Sequence, residues 1–109
     1  MEVYYSMEII YSHEKIETFI NSLDESTARR VFRLISRLEE LGHKIRMPYS
    51  KNIESNLFEL RLLGRVQVRI IYTYHDDHAV LLNIFIKKFW RIPRGEIEYA
   101  KEVLKRYIA

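Results

Sequence analysis

The sequence predicts an α+β domain in the order strand, two helices, three strands, helix. Its sheet is expected to be mostly antiparallel, with an N-terminal helical hairpin on one face and a C-terminal helix. Three observations predict this. Between Leu57 and Tyr74 (LFELRLLGRVQVRIIYTY), the polar residues Glu59, Arg61, Arg65, Gln67 and Arg69 alternate with apolar ones, which is the two-residue period of a half-buried strand. Ahead of that stretch two apolar stripes recur at helical spacing, and a third follows it. Strand patterns grouped together, not interleaved with helices, mark the α+β class.

Taken in order, Val3 to Tyr11 is rich in β-branched and aromatic residues and reads as a strand. Ser12 is the expected cap of a short helix carrying Ile16, Phe19, Ile20 and Leu23. Asp24 is a second cap candidate, followed by the stripe Ala28, Val31, Phe32, Ile35 and Leu38, which stops at Gly42. From His43 to Asn56 no period holds, so that stretch reads as a long connection. Leu57–Leu62, Arg65–Tyr74 and Ala79–Lys88 read as a meander with turns around Gly64 and Asp76-Asp77. Pro93 is placed in the first turn of the last helix, with Ile97, Ala100, Leu104 and Tyr107 on its buried side.

The register of the first hairpin follows from parity. An odd loop keeps polar residues opposite polar ones, and a three-residue loop of Leu62, Leu63 and Gly64 pairs Arg61 with Arg65, Glu59 with Gln67 and Leu57 with Arg69. Phe58, Leu60, Val66, Val68 and Ile70 then face the helices, while Arg61, Arg65, Gln67 and Arg69 share a solvated cationic face with Glu59 diagonal to Arg69. Charges studding an exposed sheet for solubility would give the same pattern. Two arginines set directly opposite favour an anion between them, and a guanidinium is suited to gripping phosphate with two parallel hydrogen bonds.

Composition narrows the field. The 109 residues suit one domain spanning 1–109. The absence of cysteine excludes disulfides, zinc knuckles and thiol nucleophiles, and a cytoplasmic location is expected. No apolar run approaches the roughly 20 residues of a membrane helix, and no signal layout is seen, so no membrane partner is expected. The net charge is −1 over residues 1–56 and +4 over 57–109, an asymmetry that suggests an anionic partner such as nucleic acid. His75 and His78 bracket Asp76 and Asp77, but their place at a turn favours a polar hairpin over a metal site; no metal or cofactor is expected. Phe89 and Trp90 follow Lys87-Lys88 and are candidates for stacking on an RNA base, with covering the core's edge as the competing role.

Lys51, the run NLFELR at Asn56–Arg61, VRIIY at Val68–Tyr72, LLNIFIKK at Leu81–Lys88 and PRGEIEYA at Pro93–Ala100 together resemble the phage-derived HigB-like branch of the RelE/ParE toxin superfamily. The resemblance covers roughly residues 48 to 105. It implies a RelE-like fold and the toxin of a type II toxin–antitoxin pair, a metal-independent endoribonuclease (mRNA interferase) that cuts messenger RNA on the ribosome. It also implies a cognate helix-turn-helix antitoxin and a toxin–antitoxin hetero-oligomer. Lys51, Glu59, Arg61, Arg69, Phe85, Lys87 and Lys88 occupy the matching positions. The chain departs from the family's pattern in having Asn56 where glycine is common and Ile92 where threonine commonly precedes the proline, and no histidine or tyrosine aligns with a catalytic one. Asn56 suits the glycine position if the backbone there is left-handed.

Metal-free RNA cleavage uses the 2′-hydroxyl as nucleophile, and so needs a proton acceptor, cations around the phosphorane and a donor to the leaving oxygen. Arg61 and Arg69 are assigned to phosphate, with Arg69 expected at the surface and tolerant of substitution. Lys51, Lys87 and Lys88 could move protons if clustering depresses a lysine pKa, and Glu59 is an orienting group or a base. Arg65, Gln67, Lys88, Trp90 and Arg91 extend the expected RNA-binding surface. A flat face has no deep pocket to orient RNA, which implies dependence on the ribosome. Two other functions fit the same fold: a ParE-type toxin that binds DNA gyrase, and a non-catalytic RNA-binding module.

Overall fold

The computed structural model describes residues 6–109. The first strand, β1 (Glu8–Tyr11), is followed by α1 (Lys15–Ser22) and α2 (Glu25–Leu41). After a single 3₁₀ turn at Gly42–Lys44 come β2 (Ser50–Glu54), β3 (Leu57–Leu62), β4 (Val68–His75), β5 (His78–Ile86) and α3 (Arg94–Ile108). The strands form one mixed sheet in the order β1-β5-β4-β3-β2, with β1 parallel to β5 and the other pairs antiparallel. The α+β class and the order of the predicted elements hold. The part of the first predicted strand before Ser6 lies outside the described residues.

Each face of the sheet has its own core. Ile16 and Ile20 of α1 and Val31, Leu34, Ile35 and Leu38 of α2 pack on Leu60, Leu62, Val68, Ile70, Tyr72 and Leu81. On the opposite face Ile97, Ala100 and Val103 of α3 cover Leu57, Ile71, Val80 and Leu82. Val103 is the buried residue beside the predicted Leu104, which packs only partly buried against this core, and Tyr107 lies at the surface. The Tyr107 ring instead lies edge-on to His75 at the end of β4, with 6.1 Å between centroids.

Asp24 caps α2 as its spacing predicts: its carboxylate accepts from the Thr27 backbone N–H at 3.1 Å and the Thr27 hydroxyl at 2.6 Å, contacts that hold it below the usual aspartate range. Gly42 ends the helix at φ +54°, where a left-handed residue is needed. Ser12 does not cap α1. Its N–H extends the β1–β5 ladder to Leu81 O at 3.1 Å, and the helix begins later behind Glu14.

Three further expectations are corrected. The stretch read as an aperiodic connection contains β2, an edge strand whose mixed side chains, SKNIE, carry no alternation to detect. The left-handed residue of the β2–β3 turn is Ser55, at φ 45°, and not Asn56. The β3–β4 loop runs from Leu63 to Gln67, so Arg61 pairs with Arg69 and Leu62 with Val68, a four-residue slip from the expected register. Such a slip preserves parity, so the apolar residues still face the helices. Gly64 does adopt positive φ (121°), and the Arg30 guanidinium fixes the longer loop by donating to Leu63 O at 2.7 Å. A bulge in β5 at Leu82, opposite Ile71 and Tyr72, also breaks the alternation predicted for that strand: Val80 and Leu82 face α3, whereas Ile84 faces the other core.

At the other end of the sheet, Glu54 accepts from Arg94 Nη1 at 2.5 Å and contacts Lys101 Nζ at 2.6 Å, tying α3 to the end of β2. Hydrogen bonds from Arg94 and then Lys101 hold its carboxyl at about 2. A carboxyl depressed on folding contributes stability that is complete above its ordinary value of 4.5 and disappears as pH falls through about 2. Thermal melts between pH 5 and pH 2 are therefore expected to fall less steeply for Glu54→Gln than for the parent, with the Gln variant melting lower at neutral pH. In the core, Leu60→Ala at a fully buried position is expected to cost about 2–5 kcal/mol by urea unfolding.

Candidate functional site

The β3–β4 pairing brings together a group of charged side chains beside the core that α3 covers. Lys51 of β2 sits opposite Glu59 of β3, and in the next row Arg61 of β3, Arg69 of β4 and Phe85 of β5 lie side by side. One row further, the Lys87 N–H donates to Gln67 O at 2.7 Å and continues the ladder past the end of β5. Strand alternation points Lys51, Glu59, Arg61, Arg69 and Phe85 to the α3 side of the sheet.

At the centre is Glu59, only 6% exposed. One carboxylate oxygen lies 3.3 Å from Arg61 Nε and the other 3.6 Å from Arg69 Nε. Neither approach satisfies hydrogen-bond geometry, and Glu59 Oε2, Arg61 Nε and Arg69 Nε are buried atoms without a hydrogen-bond partner. The three groups thus form an electrostatic cluster of net +1 whose donors are not all consumed.

Arg69 differs from its expectation. It is 1% exposed, not at the surface, because the true register sets it in the middle of β4 with Arg61 on one side and Phe85 on the other. Its Nη1 donates to Leu62 O at 3.1 Å and Val68 O at 3.2 Å, and its Nη2 to Gln67 Oε1 at 3.1 Å. Burial pushes this guanidinium below the usual arginine range; Glu59 opposes the shift and Arg61 adds to it. Arg61 is the freer of the two, half-buried, with Nη1 making only long contacts to Met47 Sδ at 3.3 Å and Pro48 O at 3.4 Å.

Lys87 completes the cluster. Desolvation and then the charge of Arg69 push its ammonium below the usual lysine range; Glu59 works against this, and Arg61 and Lys51 add smaller contributions in the same downward direction. Of the remaining predicted residues, Gln67 joins the cluster by bracing Arg69, whereas Arg65 stands exposed in the β3–β4 loop and makes no contact with it. Lys88, Trp90 and Arg91 lie in the exposed segment between β5 and α3. Trp90 is 80% and Phe89 66% exposed, so neither covers the core, and the Arg91 guanidinium stacks 4.5 Å from the Trp90 ring centroid.

The histidines and aspartates of the YHDDH stretch form the β4–β5 turn, Asp76 and Asp77 both adopting positive φ in a two-residue hairpin loop, as their turn chemistry predicts. Tyr72 is buried on the helical-hairpin face, where its hydroxyl meets Ser50 Oγ at 2.6 Å, away from the cations.

A five-stranded mixed sheet with helices on both faces defines a compact RelE-like α+β protein. The chain belongs to the family described as "Phage derived protein Gp49-like (DUF891)", whose model matches residues 18–105. This is a toxin-like family, within the RelE/HigB-like toxins taken broadly. No curated protein matches the sequence.

The burial of Arg69 reverses the expected tolerance of its replacement. Arg69→Ala would leave Glu59 with Arg61 alone and remove the buried donor to Leu62 O and Val68 O, and is expected to cost about 3 kcal/mol, whereas Arg61→Ala, at a side chain 18% exposed, should cost less, about 1 kcal/mol, both read by urea unfolding. Equal, small losses for the two variants would contradict the brace role drawn for Arg69.

Proposed function

We propose that the protein is the toxin of a type II toxin–antitoxin pair, and that it is a ribosome-dependent, metal-independent messenger RNA endoribonuclease acting in the cytoplasm. The observation that carries this reading is the cluster of Arg61, Arg69 and Lys87 around one carboxylate, Glu59, with Arg61 and Lys87 at its solvent-facing margin. The Gp49-like family supports the toxin class, and with it an antitoxin partner, for which the helix-turn-helix type is the proposed form. No helix among the described residues is long and apolar enough to cross a membrane.

In the proposed reaction the RNA supplies its own nucleophile. Lys87, its pKa lowered by burial and by its cationic neighbours, accepts the proton of the 2′-hydroxyl in its neutral form. The hydroxyl oxygen attacks the adjacent phosphorus, and Arg61 donates to the phosphorane oxygens as charge develops on them. Lys51, exposed at the margin of the cluster, protonates the departing 5′ oxygen. Glu59, already engaged by two guanidiniums, orients Arg61; Arg69 acts through Glu59 and Gln67 as a positioning residue. Lys88, Arg65 and Arg91 bind flanking phosphates, and Trp90 offers a face for a base.

Induction of the chain alone is expected to arrest growth with loss of amino-acid incorporation in pulse labelling. Arrest of DNA synthesis with translation intact would instead favour gyrase as the target. In a translation extract, Arg61→Ala is expected to lower message cleavage about 10²- to 10³-fold, the usual effect of one lost oxyanion donor. Cleavage by the parent should rise with pH until Lys87 is neutral, and Lys87→Met should lose that rise. Because a depressed lysine opposes folding while it is charged, Lys87→Met should melt no lower than the parent at neutral pH. A fully active Lys87→Met protein would remove this residue from proton transfer.

A further inference from the structure

We propose that the cleft between α2 and the end of β3 is a second seat for RNA backbone phosphates, built by Arg33, Arg37 and Arg61. The inference rests on the reading that the partner is RNA. The cleft encloses about 230 Å³, with Arg30, Arg33 and Arg37 on the helix side and Arg61 and Tyr49 across from them. No carboxylate lines it.

Arg30, Arg33 and Arg37 are spaced three and four residues apart, so they form one ridge along α2 about 10 Å long at 1.5 Å per residue. Arg29, one turn before Arg33, adds to this crowding. Like charges at these spacings oppose one another and weaken a helix. Only Arg29 is relieved, by Glu25 at 2.8 Å; among the described residues Arg30, Arg33 and Arg37 have no carboxylate within ion-pair distance. Arg30 and Arg37 make local contacts, but within the described residues nothing neutralises the charge of the ridge, which a chain of phosphates would do.

Two of these side chains are already held in place. Arg30 is bound to Leu63 O, and the Arg37 guanidinium carbon sits over the Tyr49 ring, 4.1 Å from its centroid. Stacking leaves the in-plane N–H groups free to donate to a planar or tetrahedral anion. Arg61 belongs to both places, with Nε turned to Glu59 in the sheet cluster and its guanidinium lining the cleft. A strand with one phosphate at Arg61 is thereby directed onto the α2 ridge. Repeated bidentate donors along a line, continuous with the sheet cluster, fit successive phosphodiesters better than the irregular carboxylates of an acidic peptide.

The test is anisotropy of a labelled 2′-O-methyl RNA oligonucleotide, which cannot be cleaved, titrated at several salt concentrations. Arg33→Gln/Arg37→Gln is expected to bind roughly tenfold more weakly and to lower the log–log salt slope by about 1.4, at about 0.7 per phosphate contact on a single strand. Arg33→Gln alone, which leaves the Arg37–Tyr49 stack intact, should give about half that slope change, and Arg33→Lys/Arg37→Lys should retain the parent slope. An unchanged affinity and slope in both Gln variants, or a parent that does not bind the oligonucleotide, would overturn the proposal. Loss of antitoxin binding with RNA binding intact would also overturn it, by assigning the cleft to a protein. RNA binding that depends on Arg33 and Arg37 in a chain that cuts no message would end the endoribonuclease reading and leave the cleft standing.

Discussion

The arrangement of the sheet depends on one carboxylate. Arg61 and Arg69 are directly opposed on neighbouring strands, a pairing that by itself pushes a hairpin apart. Glu59 sits one row away, close enough to reach both guanidiniums, and so turns a repulsive pair into a triad. A hairpin with Arg61 opposite Arg65 would have kept apolar parity equally well, but would have set Arg69 opposite Leu57. The chosen register matches buried Leu62 and Leu60 to Val68 and Ile70 and gives the buried arginine its counter-ion, its two carbonyls and its glutamine.

The same triad limits how far α3 can extend over the sheet. Its apolar stripe covers Leu57, Ile71, Val80 and Leu82, where the face is oily. Covering the rows of Arg61 and Gln67 as well would bury a net positive cluster under hydrocarbon, which is costly without a further anion. The helix is anchored instead at the opposite margin, by Glu54 with Arg94 and Lys101 and by Asn83 Nδ2 donating to Glu96 O at 3.0 Å. Glu59 and Arg69 are buried beyond the reach of α3, and Arg61, Lys87 and Lys51 keep the charged part of the face in contact with solvent.

Much of this was legible because it is written in periods. Helical spacing and the Asp24 and Gly42 signals mark α2, and the alternation from Leu57 onward marks β3 and β4 and sorts their faces. Gathering Lys51, Glu59, Arg61, Arg69 and Lys87 required the alternation together with the family resemblance. What failed has physical reasons. Parity fixes which face a residue takes but not the register, because slips of two or four residues leave it unchanged; the burial of Arg69 was hidden by that ambiguity. Edge strand β2 pairs on one side only and has no alternating pattern, and the bulge at Leu82 of β5 changes faces without a glycine to announce it. The α2 arginines escaped notice because Glu25, Glu39 and Glu40 cancel them in a regional charge sum, although their three-and-four spacing was available to find them.

The contrast between Arg69 and Arg61 explains why two arginines in one row need not share one role. Arg69 spends its donors on Leu62 O, Val68 O and Gln67 Oε1, the atoms that open and close the β3–β4 loop. Gln67 in turn accepts the Lys87 N–H through its backbone, so the loop, the end of β5 and the lysine are held by one connected set of bonds. A lysine at 69 has three donors on a single nitrogen and could not span those acceptors while remaining beside Glu59. Arg61 has the opposite character: its position is set by Glu59, but its outer nitrogens have only weak partners at Met47 and Pro48. A guanidinium that is oriented yet under-used is what an incoming phosphate requires, and Arg61 has that character while both Nη atoms of its buried neighbour are engaged.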